Sequence, residues 1–203
     1  MDRERVAKTW LFRGLSDLFF AFDCDNPAFE DNARFSEIMG LEKFLKAVLL
    51  YQRHAEYEAL PQDEARQRLN KMAMDFGHKF EVMLKALTDA GLRDIEQNRR
   101  NDYDGYEGDQ LVHAVEKGYM ETRYPVPTPV SDKFPIGNTG FTHDPLSSSG
   151  ITKFIYAICN ACFHELSQKV DFTGMLNQFR ETFQHKESFS RFNNSFWEAR
   201  CKH

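Results

Sequence analysis

Residues 65–87 read ARQRLNKMAMDFGHKFEVMLKAL. Within them Ala65, Leu69, Met72, Phe76, Phe80, Leu84 and Leu87 fall three or four positions apart, the repeat that places side chains on one face of an α-helix. The spacing predicts one unbroken helix of about six turns, closed by Gly91 as a left-handed cap. The same period recurs on both sides of this stretch. Upstream, Val6, Trp10, Leu11, Leu15, Leu18, Phe19 and Phe22 predict a first helix. CDNPAF (24–29) then supplies a stop, with Asn26 to cap and Pro27 suited to a first helical turn. A second helix is expected from there to about Leu60, with Phe35, Ile38, Leu41, Leu45, Val48 and Leu49 as its inner stripe.

Downstream, RDIEQNRRNDYDGYEGDQ (93–110) is charged, contains glycine and lacks any period, so it reads as an exposed loop. Leu111, Val112, Val115 and Tyr119 predict a shorter helix that must stop before Pro125. Residues 124–150 hold five prolines and three glycines and read as a long irregular connection. Ile151, Ile155, Ile158, Cys162 and Leu166 mark the next helix. Phe172, Met175, Leu176, Phe179 and Phe183 mark another, continued less regularly by Phe189, Phe192, Phe196 and Trp197. With no sustained strand alternation and no internal repeat, the class is all-α, an antiparallel up-down bundle of five or six helices. It reads as one domain over 1–203: core helices in 1–123, the connection in 124–150 and a C-terminal helical pair in 151–203.

A chain of 203 residues is long enough to bury its own core, and nineteen phenylalanines make that core aromatic-rich. The net charge of −5 gives no global positive field, so nucleic-acid binding would need a local patch. Four irregularly spaced cysteines and a charged opening MDRERVAKTW point to a reducing, cytoplasmic location. No apolar run approaches the roughly 20 residues that span a bilayer, so no membrane partner is expected. CNACFH (159–164) pairs two cysteines, but Cys162 belongs to the apolar stripe and reads as buried. NDYDGYEGD (101–109) has oxygen ligands without the full calcium-loop pattern and reads as a solvated turn. Neither a metal nor a cofactor is expected, since phosphate loops and nucleophile elbows are missing as well.

Near the C-terminus, NQFRETFQHKESF (177–189) carries Arg180 and His185. Arginine is a permanent cation for a phosphate, and histidine can move a proton near neutrality. Five steps rotate about 140° around an ideal helix, so the two side chains converge only at a helix end or across a dimer axis. Two readings follow: a catalytic pair, or two exposed polar residues flanking Phe179 and Phe183. His78 has two as well, a structural hydrogen bond to a neighbouring helix or the lining of a pocket. Glu42 and Lys46, four apart with the acid first, read as a solvated ion pair, or as a ligand-meeting face in a dimer. Arg123 precedes Tyr124 and Pro125 at a helix end, where a cation caps carbonyls or meets phosphate.

Three phrases together carry a family resemblance. GLEKFLKAVLL (40–50) is similar to the glutamate–lysine phrase on the second helix of HEPN domains (higher eukaryotes and prokaryotes nucleotide-binding). FGHKFEVMLKAL (76–87) resembles their later glycine–histidine phrase, and YMETRYP (119–125) resembles an arginine–tyrosine–proline ending found in some of them. The resemblance implies a helical bundle, homodimerisation, and either metal-independent RNA cleavage of defence or toxin–antitoxin type or a role beside a nucleotidyltransferase-like or antitoxin partner. On it, Arg180 and His185 are the catalytic candidates, and His78, Arg123 and Lys46 the candidates for contact with nucleotide or RNA. The alternative is a non-catalytic helical interaction module whose aromatic C-terminus docks a partner protein.

Overall fold

The apolar stripes wind into helices that pack as an all-α bundle. The computed structural model describes residues 1–24, 30–123 and 148–198, with residues 30, 31 and 120–123 described as backbone alone. Helix α1 spans Arg3–Asp23 and α2 spans Glu30–Gln52. Asp2 starts α1 by accepting the Glu4 N–H at 3.0 Å, which satisfies one of the donors every helix N-terminus leaves open. The two helices approach closely because Gly14 and Gly40 lie between them. A Cβ on Gly14 would stand 2.7 Å from Phe44 Cδ2, and one on Gly40 2.7 Å from the Leu18 side chain.

Helix α2 ends earlier than its sequence predicts. A 3-10 turn at His54–Glu56 follows it, and Tyr57 turns inward, fully buried, with its hydroxyl donating to the Leu50 carbonyl at 3.1 Å. The stripe of 65–87 is likewise two helices rather than one, α3 at Gln62–Phe76 and α4 at Phe80–Asp89. The break falls at Gly77, whose φ of 56° is open to glycine and strained for other residues. Sequence spacing does not register this break because each half of the stripe buries its own apolar face. Ala65, Leu69 and Met72 close a satellite cluster with Val6, Leu50 and Tyr57, whereas Phe80, Met83, Leu84 and Leu87 enter the main core.

The segment 93–110, expected as a loop, holds α5 (Arg93–Arg100) and a hairpin of β1 (Asp102–Tyr103) and β2 (Tyr106–Glu107), before α6 (Gly108–Arg123) begins. Only Ile95 and Asn98 of α5 are buried, too few to print a period in sequence. Tyr103 fastens the piece by donating its hydroxyl to Asn98 Oδ1 at 2.7 Å.

Helix α7 (Ser149–Ser167) is buried along most of its length, and α8 (Thr173–Phe183) and α9 (Ser188–Glu198) close over α1. Cys159 and Cys162 sit in the core, where burial pushes both thiols well above their ordinary range. The described residues thus form nine α-helices, more than the five or six expected, through the split at Gly77, the short α5 and a regular α9. Of the expected irregular connection, residues 124–147 lie outside the described residues. Among those described, no helix is long and apolar enough to cross a membrane.

Candidate functional site

Glu42 and Lys46 project from one face of α2, as their spacing dictates, but the face is buried: each residue is only 4% exposed. This corrects the solvated ion pair expected from sequence. Lys46 Nζ donates to Glu42 Oε1 at 2.6 Å, and the Trp10 ring of α1 lies 6.0 Å from the ammonium. Two charges removed from water need close pairing to offset desolvation, and Lys46 spends its charge on Glu42. It has little open surface from which to reach a phosphate.

The second oxygen of Glu42 meets His78. The turn at Gly77 carries His78 out of the helical register and aims its ring at α2, with Nδ1 2.7 Å from Glu42 Oε2. A carboxylate only accepts, so Nδ1 carries the proton, and in the neutral ring Nε2 is left as the acceptor. Tyr119 of α6 fills that position with its hydroxyl at 2.6 Å, and its ring lies against the imidazole with centroids 3.8 Å apart. Phe35 of α2 supports Tyr119 from 5.8 Å. The corner bearing His78 is fixed from α6 as well, since the Glu81 N–H in the first turn of α4 donates to Glu116 Oε1 at 2.9 Å. The His78 side chain is 40% exposed and is the opening of the cluster to solvent.

The arrangement therefore runs from a buried cation through a buried carboxylate to a half-exposed imidazole and a phenol. Its chemistry is that of an oriented histidine: Glu42 at Nδ1 fixes the tautomer, and Nε2 faces the Tyr119 hydroxyl. Two of the sequence candidates, His78 and Lys46, are brought together here. Arg123 ends α6, and its side chain lies outside the described residues. Glu42, read as one half of a solvated ion pair or of a ligand-meeting face in a dimer, proves to be the centre of the cluster, and Tyr119, read as a core position, its outer member.

Arg180 and His185 stand elsewhere. Arg180 is exposed on the last turn of α8 and donates to Asn177 Oδ1 at 3.4 Å, and His185 is exposed in the turn before α9. A helix end does fall between them, yet among the described residues no hydrogen bond or ion pair joins them or ties them to a shared partner. The aromatic side chains around them are used internally. Phe179, Phe192 and Phe196 are buried, and Phe19 of α1 is ringed by Phe179, Phe183, Phe189 and Phe192.

A second buried carboxylate, Glu37, pairs with Arg34 and accepts from the Thr152 hydroxyl at 3.0 Å, and burial raises its pKa above the usual carboxylate range. The acidic 101–109 segment is spent on the hairpin: Asp102 accepts the Gly105 N–H at 3.0 Å and Asp104 accepts from Lys153 at 2.6 Å. Among the described residues, no three His, Cys, Asp or Glu side chains gather as a metal site requires. Compared with protein-family models, curated proteins and solved structures, the chain matches none.

Proposed function

We propose that the protein is a HEPN-like nucleotide- or RNA-binding module whose ligand-contacting group is His78, held by Glu42 and Tyr119. One observation supports this reading above the rest. The three phrases that carry the resemblance lie far apart in the chain, yet each contributes to one side-chain cluster: Glu42 and Lys46 from the first, His78 from the second and Tyr119 from the third. A structural ion pair alone needs neither the glycine turn nor the half-exposed histidine. In this reading the ligand approaches the exposed edge of His78 and takes the place of the Tyr119 hydroxyl at Nε2, while Lys46 balances the charge of Glu42. Homodimerisation and a cytoplasmic setting belong to the same proposal.

The test is binding of a short fluorescent RNA by anisotropy and its cleavage in the presence of a chelator, using the wild type and the variants His78→Ala, Tyr119→Phe, Arg180→Ala and His185→Ala. We expect His78→Ala to weaken binding and to remove any cleavage, because no other group in the cluster opens to solvent. Cleavage lost only in Arg180→Ala and His185→Ala would move the active centre to α8. Absence of both binding and cleavage in the wild type would leave the interaction module as the better reading.

A further inference from the structure

Between the first turns of α1 and the outer face of α3 lies a cavity of about 520 Å³, within the usual range for small-molecule sites. Its lining is of two kinds. Val6, Trp10 and Leu69 form an apolar wall that includes an indole, and Arg5 and Arg66 stand exposed at the rim, one from each helix. Neither guanidinium has a hydrogen-bond or ion-pair partner among the described residues, whereas Arg34, Arg53, Arg68, Arg99 and Arg100 all do. Asp2, the acidic residue of the lining, already accepts the Glu4 N–H with one carboxylate oxygen. Two unspent cations beside an aromatic wall fit a ligand that has both a flat ring and an anionic group.

We infer that this cavity is a binding site for a planar aromatic anion of about nucleoside-monophosphate size, the ring against Trp10 and the anion between Arg5 and Arg66. The site is separate from the Glu42, His78 and Tyr119 cluster and stands whether or not that cluster binds RNA. The two share only Trp10, which faces the cavity and also neighbours Lys46.

Isothermal titration of the full chain with AMP, adenosine and ribose 5-phosphate separates the two halves of the recognition. AMP binds saturably, and adenosine and ribose 5-phosphate each bind more weakly, since one lacks the anion and the other the ring. Arg5→Ala and Arg66→Ala, both on the exposed surface and so harmless to folding, each weaken AMP about tenfold, the scale of one charge-assisted hydrogen bond. In a Trp197→Phe background, AMP also changes the Trp10 fluorescence with the same midpoint as the heat signal. No saturable binding of AMP at millimolar concentration, or binding indifferent to both arginine substitutions, overturns the assignment.

Discussion

Glu42 divides its two oxygens between Lys46 and His78. Sequence spacing shows that Glu42 and Lys46 share a helix face. It carries no information on what covers that face, because the cover comes from Trp10 of α1 and from the corner between α3 and α4, distant in the chain. The candidate site was thus legible as separate residues, Lys46 and His78, and not as a cluster. The burial carries an energetic consequence. Glu42→Ala strands the Lys46 ammonium away from water, which should cost about 3–5 kcal/mol of unfolding free energy. Replacing both residues with methionine removes the stranded charge and should cost much less. Urea denaturation of the wild type and the two variants measures this, and a Glu42→Ala loss under about 0.5 kcal/mol, the usual scale for surface changes, would mean that the pair is solvated after all.

At the scale of elements, helix existence follows from apolar period, whereas helix interruption follows from backbone conformation. A single glycine in a continuing stripe is compatible with either a straight helix or a turn. Gly77 makes the turn, with φ 56° and ψ −136°, and its N–H donates to the Met74 carbonyl at 2.9 Å. The same ambiguity hid α5, whose two inward side chains leave no pattern to read. Gly77→Ala should destabilise the protein by about 1–3 kcal/mol, since an alanine strains in this conformation. It should also loosen the His78 contact with Glu42. Gly174, in α8, supplies the opposite control: its φ is not left-handed and no heavy atom lies within 4 Å of an added Cβ. Gly174→Ala is therefore expected to stabilise by about 0.5–1 kcal/mol through helix propensity. Equal melting of Gly77→Ala and wild type would show that a straight helix through residue 77 is equally accessible, and the geometry of the cluster would lose its basis.

For the whole molecule, the all-α class was legible because every long stripe keeps a helical period. The order of packing was not, because a stripe states that a face is buried and never names the partner. The C-terminal helices are the clearest instance. Residues 151–203 read as a C-terminal helical pair, whereas in the fold their described part forms α7, α8 and α9, of which α8 and α9 cover α1, at the opposite end of the chain, with Phe19 at the meeting point of four other phenylalanines. One core cluster consequently runs from Ala7 to Phe196. The two tryptophans sample its extremes: Trp10 packs against both this core and the satellite cluster under α3, and Trp197 of α9 packs on Phe163 and Phe196. If α8 and α9 are part of one cooperative unit, Trp10 and Trp197 must lose their native environments together. Single-tryptophan variants, Trp197→Phe to isolate Trp10 and Trp10→Phe to isolate Trp197, should each melt at the midpoint that circular dichroism reports for the same variant. An earlier Trp197 transition, with helicity largely retained, would instead define α8 and α9 as a detachable cover over α1. Phe19 and its neighbours would then become an apolar surface available to a partner protein, and the interaction-module reading would regain the aromatic face that the closed structure keeps inside.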